Sequence, residues 1–205
     1  GDKMISKNKA KIMDEITSEL KKLPNIAFVD AQNLHFGTTK CHTCAEVLSI
    51  EIKDIKLSDC VCGFAYRINL GKFRIYLKDK YNVSEAYYFL GYLEDKNEEL
   101  YKEIQKAGFI IIFKEHTRLL KSKKKGNIDT DMVFEIMKNL LDNAGFSKII
   151  LVSGDGDYKR LVNYLITKER FEKILFPNRT RASSLYKELA SERCDYLENI
   201  RSYNT

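Results

Sequence analysis

Apolar residues along the chain recur with two spacings. Residues 7–22 place Ile12, Ile16 and Leu20 four apart, which predicts an amphipathic helix that Pro24 ends. Residues 25–30 (NIAFVD) are a short apolar run closed by an acid and predict a buried strand. Residues 69–80 carry Leu70, Phe73 and Leu77 on one helical face, 84–92 are aromatic-rich and strand-like, and 95–107 predict a helix that Gly108 stops before a strand over 109–114. Residues 129–143 line up Val133, Ile136, Met137 and Leu140. After Gly145 come a strand over 147–152, a helix over 157–168, a strand over 171–176 and a helix over 181–190. Strands alternate with helices, and the core strands are apolar throughout rather than on one face. Both features predict an α/β fold, a doubly wound, mostly parallel sheet covered on two faces.

Residues 38–67 break that rhythm. They hold four of the five cysteines and an alternating stretch (Leu48, Ile50, Ile52, then Ile55 and Leu57), which predicts a small cysteine-rich β insertion between the first strand and the next helix. The expected organisation is an N-terminal helix over 1–24 and one domain over 25–205, interrupted by 38–67.

Composition narrows the picture only a little. Lys+Arg total 35 against 29 Asp+Glu, and the resulting +6 permits an anionic partner without demanding one. No apolar run reaches the roughly 18 residues that cross a bilayer, so no membrane partner is expected. The polar start has no apolar signal core, and five cysteines are an odd number for a disulfide framework. A cytoplasmic protein is the expectation.

The acids at the ends of apolar strands carry the candidate chemistry. The first strand ends in Asp30, followed by Ala31, Gln32 and Asn33. The 147–152 strand runs into Ser153-Gly154-Asp155-Gly156-Asp157, and Asp129 and Asp131 open a helix. In open parallel sheets ligands bind beyond the carboxyl ends of the strands. Clustered carboxylates repel, and a hard divalent cation such as Mg²⁺ or Mn²⁺ relieves that conflict with oxygen ligands and retained waters. Such a site activates water and holds a phosphate oxygen, so phosphodiester hydrolysis fits without a His or Ser nucleophile. Each of Asp129, Asp155 and Asp157 alone is equally a good helix cap. Gly154 and Gly156 leave room for close backbone approach. Competing sites fit less well: no glycine fingerprint follows the first strand, Gln32 stands where an aspartyl phosphatase has a second acid, and Ile166 stands where a calcium loop closes on an acid.

The segments FVDAQNLH, KGNIDTDMVFEIM and LVSGDGDY, in this order, resemble the motifs of the NYN domain, LabA-like branch, within the PIN-like nuclease superfamily. The likeness covers most of residues 25–200 outside the cysteine insertion and extends to Phe176-Pro177-Asn178 and Ser183-Ser184-Leu185. It implies a compact α/β nuclease fold, Mg²⁺ or Mn²⁺ dependence and cleavage of RNA. By this resemblance Asp30, Asp129, Asp155 and Asp157 match the family acids and Asn33 the companion of the first. Asp131 stands where the family varies, and Glu135 matches a family acid that also suits a solvated helix face. A catalytically inactive RNA- or nucleotide-binding module and a metal-dependent small-molecule phosphohydrolase remain as alternatives.

The insertion departs from that pattern. Cys41-His42-Thr43-Cys44 and Cys60-Val61-Cys62 make a C-x₂-C … C-x-C array with fifteen residues (45–59) between the pairs. Such knuckles suit tetrahedral, structural Zn²⁺, with free thiols as the alternative and His42 as a substitute ligand. Cys194 is expected to be a packed residue; His35 and His116 are isolated and read as structural or exposed. The basic run 121–125, with Lys123, Lys124 and Lys125, leads into Asp129 and could draw RNA by charge alone, or be a solvated loop. Ser153, Arg179 and Arg181 are further candidates for substrate contact. RNA is the expected partner, and a homodimer is left open.

Overall fold

The computed structural model describes residues 2–91, 97–113 and 128–200, with side chains for 8–20, 22–91, 97–113 and 130–198. Helix α1 (Asp2–Lys22) leads to β1 (Asn25–Asp30), α2 (Ala31–Thr39), α3 (His42–Val47), α4 (Leu70–Tyr81), β2 (Val83–Leu90), α5 (Glu98–Lys106) and β3 (Ile110–Phe113). Then follow α6 (Ile128–Asp142), β4 (Ile149–Val152), α7 (Lys159–Thr167), β5 (Phe171–Phe176) and β6 (Cys194–Tyr196). The six strands form one sheet in the order β3-β2-β1-β4-β5-β6, and every pairing is parallel.

The apolar strands bury both faces, as parallel strands between helical layers must. Ala27 and Val29 of β1 join Leu70, Phe73 and Leu77 of α4 and Ile104 of α5 on one side. Ile26 and Phe28 join Met132 and Ile136 of α6 and Leu161, Val162 and Leu165 of α7 on the other. Each of the larger side chains among them adds about 1.5–3 kcal/mol by leaving water. Asn25 fixes the start of β1: its side chain donates to the Tyr81 carbonyl at 2.7 Å and accepts the Lys148 N–H at 2.9 Å. Helix α4 is capped at both ends, by the Asn69 side chain on Lys72 N–H and by Asn82 in the left-handed region at φ 53°.

The chain runs outward from β1 in both directions, first through β2 and β3 and then through β4, β5 and β6. The carboxyl ends of β1 and β4 therefore flank the switch point where such sheets place ligands. Among the described residues no helix is long and apolar enough to cross a membrane. On α1, Ile12, Met13 and Ile16 remain about half exposed.

Three expectations require correction. The insertion over 38–67 is not β-rich: it contains α3, a single 3₁₀ turn over Leu57–Asp59 and no strand. Its alternating apolar residues do not form a buried face, since Leu48, Ile50 and Leu57 are exposed and only Ile55 is fully buried. Residues 181–190 are not a helix. Serine and asparagine caps break the segment into 3₁₀ turns at Arg179–Arg181 and Ser184–Tyr186, with Asn178 accepting from Thr180 N–H and Ser183 from Leu185 N–H. Finally, Gly154 and Gly156 do not keep open space for a ligand. A Cβ on Gly156 would meet Ser183 Oγ at 2.5 Å, and one on Gly154 would touch Ala182 at 3.5 Å. The 182–183 segment occupies the room these glycines make.

Candidate functional site

Asp30 is the last residue of β1 and only 5% exposed. The register pairs Val29 with Val152, which brings Ser153, just past β4, alongside Asp30. Asp30 Oδ1 accepts the Asn33 N–H at 3.0 Å and so caps α2. Its Oδ2 accepts from the Ser153 hydroxyl at 3.3 Å and the Tyr158 hydroxyl at 3.4 Å. These donors satisfy both oxygens of the buried carboxylate, as burial of a polar group requires. Beside it, burial raises the phenol of Tyr88 above its usual pKa, and the negative charges of Glu103 and Asp30 push it the same way.

Asp155 is tied to Asp30 through one hydroxyl. Ser153 Oγ donates to Asp30 and accepts the Asp155 N–H at 3.1 Å. Asp155 Oδ1 accepts the Asp157 N–H at 3.0 Å, capping the 3₁₀ turn Gly156–Tyr158, and its carbonyl accepts from the Tyr186 hydroxyl at 2.5 Å. Across the switch point, Asn33 Oδ1 accepts the Gly154 N–H at 2.7 Å. The caps and the convergence of acids thus coexist. Asp30 and Asp155 each give Oδ1 to a turn, and the fold still sets both beside Ser153.

The other expected residues are placed less uniformly. Asp157 is exposed next to Asp155, and Asp131 is half-buried on α6. Glu135 lies 3.9 Å from Lys138. Among the described residues no three carboxylates bring oxygens within 4.8 Å of one another, so these acids form an open arrangement rather than a closed cage. The side chain of Asp129, Lys123, Lys124, Lys125 and His116 lie outside the described residues. Arg179 stacks on Tyr196 at 3.9 Å, and Arg181 stacks on Phe36 of α2 at 3.9 Å. Nη1 of Arg181 is buried with no hydrogen-bond partner among the described residues, and burial lowers the pKa of this guanidinium. A cleft of about 460 Å³ opens beside Ser183, bordered by Arg179, Tyr186, Lys187 and Tyr196.

Sequence reasoning missed Tyr158, Tyr186, Phe36 and Gly37. Tyr158 closes the LVSGDGDY motif, which was its available signal; the others are set by tertiary contact. Gly37 lets α2 lie against the loop after β5: a Cβ there would meet the Pro177 Cβ at 2.6 Å. Asn178 completes that contact by donating to the Gly37 carbonyl at 3.2 Å.

The four insertion cysteines converge a short distance beyond α2. Cys41 Sγ lies 3.4 Å from Cys62 Sγ, Cys60 3.6 Å from Cys62, and Cys44 3.9 Å from Cys60. All five cysteines of the chain are unbridged. Burial, first of all, pushes the Cys41 thiol up to about 12. Burial also opposes ionisation of Cys60, but the Ala65 N–H and the neighbouring thiols outweigh it and bring Cys60 down to about 7. Cys194 lies apart, packed at the edge of the α6/α7 core, with its thiol raised by burial.

A family model described as NYN domain matches residues 26–192. Among solved structures, a protein of unknown function from Vibrio parahaemolyticus RIMD 2210633 superposes with a TM-score of 0.54 at 20% identity, covering 85% of this chain and 91% of that chain. At that identity the likeness establishes the fold. No curated protein matches significantly.

Proposed function

The chain belongs to the NYN domain family, and on that premise we propose that it is a metal-dependent ribonuclease that hydrolyses RNA phosphodiesters. The observation that carries this reading is the pairing of Asp30 and Asp155 through Ser153 at the carboxyl ends of two adjacent central strands. The donor set is all oxygen, which suits Mg²⁺ or Mn²⁺ and not a soft metal. Asp30, Asp129, Asp131 and Asp155 would hold the ion, with Asp157 completing the set. Bound there, the ion would supply charge neutralisation at the phosphate and a water of lowered pKa.

The chain's own groups do the rest. Asp157, exposed beside Asp155, orients the attacking water. Asn33 holds the Gly154 backbone in place. Arg179 and Arg181 contact phosphate oxygens, and Lys123, Lys124 and Lys125 draw the polyanion in by charge. Ser153, expected to touch substrate, is instead fully buried with its hydroxyl committed to Asp30 and the Asp155 N–H, so it positions the acids. Five unbridged thiols suit a reducing compartment such as the cytoplasm.

The test is RNA cleavage with Mg²⁺ or Mn²⁺, comparing the unaltered chain with Asp30→Asn and Asp155→Asn. Cleavage is expected to require the metal and to be nearly abolished in both variants. Cleavage that survives EDTA or both substitutions would overturn the mechanism. RNA binding without turnover would instead make the chain a binding module of the same fold, and turnover confined to small phosphate esters would make it a phosphohydrolase.

A further inference from the structure

We infer that Cys41, Cys44, Cys60 and Cys62 form a zinc tetrathiolate whose task is to fasten the C-terminal end of α2, the helix capped at its other end by Asp30. The first support is the spacing of the sulfurs. A tetrahedral ion with Zn–S bonds of about 2.3 Å sets its sulfurs about 3.8 Å apart. The measured separations of 3.4, 3.6 and 3.9 Å bracket that value, and all four ligand atoms lie within 4.8 Å of one another. Disulfides would need sulfurs about 2.05 Å apart. Four sulfurs without an oxygen ligand select a soft or borderline metal over Mg²⁺. The Ala65 N–H donates to Cys60 Sγ at 3.3 Å, a bond that strengthens when the sulfur carries thiolate charge.

The second support is what the insertion lacks. It has no strand, and its buried cluster is Cys41, Cys44, Ala45 and Ile55. Two of those four are the sulfur ligands themselves. A segment this small does not bury enough apolar surface to offset its chain entropy, and metal binding is the usual remedy.

The attachment to α2 is direct. Helix α2 ends at Thr39, its C-cap is Lys40, and the first ligand is Cys41. Lys40 Nζ donates to the Lys53 and Ile55 carbonyls at 2.8 and 2.6 Å, and Tyr66 N–H donates to the Thr38 carbonyl at 2.9 Å. These bonds cross between α2 and the chain on both sides of Cys60. The ion closes that loop, so the helix that carries Asn33 and Phe36 is held from both ends.

The experiment uses the full chain purified under reducing conditions without chelator. Elemental analysis should find about one zinc per chain. Cys44→Ser should bring it close to none, while Cys194→Ser leaves it unchanged. Chelation should raise amide exchange over residues 31–40, leave β4 and β5 protected, and be reversed by added zinc. If Cys44→Ser does not fold, Co²⁺ exchanged into the unaltered chain should show thiolate-to-cobalt charge-transfer absorption, and its absence counts against the site. Chains without zinc whose thiols all titrate freely, disulfides among these four residues, iron in place of zinc, or zinc retained in Cys44→Ser would overturn the assignment. Unchanged exchange in α2 after metal removal would overturn the fastening role. Zinc content is read without RNA, so its failure and failure of the ribonuclease reading are separate results.

Discussion

The Asn33 side-chain oxygen accepts the Gly154 N–H at 2.7 Å, joining the first turn of α2 to the loop after β4 across 121 residues of chain. It fixes the loop that carries Asp155. Asn33→Ala leaves that N–H without its partner in a half-buried place, a loss of about 1–3 kcal/mol. Urea unfolding should show a lower midpoint with an unchanged slope, while Gln32→Ala, exposed on the same helix, stays within about 0.5 kcal/mol of the unaltered chain. Equal midpoints for the two variants would remove the bond from the account.

Gly37 and Gly91 should respond oppositely to the same added methyl. At Gly37 the new Cβ would stand 2.6 Å from the Pro177 Cβ, on a ring that cannot swing aside. At Gly91 nothing among the described residues lies within 4 Å. Gly37→Ala should therefore cost about 1–3 kcal/mol through forced separation of α2 from the loop after β5. Gly91→Ala should be close to neutral. Thermal melts of the two variants side by side decide the matter.

The edge strand β6 depends on a charge, which makes its stability pH-dependent. Burial alone would raise the Asp195 carboxyl. The Lys80 ammonium at 2.7 Å, the Tyr196 N–H and the Tyr81 hydroxyl more than offset it and hold the carboxyl below its usual range. A carboxyl depressed in the folded state adds stability that is present above its unfolded pKa of about 3.9 and fades as pH falls through the lower folded value. Lys80 is shifted up, burial notwithstanding, by its bonds to Asp195 and Tyr76, so its share persists through neutral pH and fades only as pH rises through that raised value. Lys80 is nearly half exposed, so solvent screening limits the pair to about 1 kcal/mol. Asp195→Asn should lower stability by about that much at pH 7. It should also flatten the acid limb of a stability–pH curve below about pH 4. An unchanged acid limb would show that other carboxylates dominate it.

The legible parts of this fold are those where one apolar signal dominates. Residues 25–30 and 171–176 read directly as strands because every core position is apolar and a polar residue or turn closes each run. Asp30 and Asp155 were legible for the same reason, as acids placed where such strands stop. Helix α2 gave no periodic stripe: apart from Leu34, its buried residues are Ala31, Gly37, Thr38 and Thr39, too small or too polar to stand out. Strand β6 is three residues long with Asp195 at its centre, too short and too polar to read as a strand although Cys194 and Tyr196 pack against the core. The alternation around Leu48 and Ile52 imitates a strand, but the insertion organises around sulfur and Ile55 instead. Tyr158, Tyr186 and Phe36 complete the site through contacts between distant segments, which local pattern does not encode.

Arg181 separates a structural role from an RNA-binding one. Its guanidinium carbon sits over the Phe36 ring, 3.9 Å from the ring centre, and its own carbonyl would stand 3.5 Å from a Cβ on Gly154. The stack contributes about 0.5–2 kcal/mol to folding. Nη1 is buried and has no hydrogen-bond partner among the described residues, so phosphate contact falls to the rest of the guanidinium. Arg181→Ala should lower thermal stability and also reduce the slope of log affinity against log salt for RNA by about one counterion. Arg181→Lys keeps the charge but loses the planar stack, so it should restore most of the salt slope and little of the stability. Phe36→Leu should do the reverse, lowering stability with the salt slope intact. Fluorescence-anisotropy titrations at four or five salt concentrations, paired with melting curves, read both effects. A salt slope that is the same in all three variants would leave Arg181 a packing residue and move phosphate contact to the other basic residues.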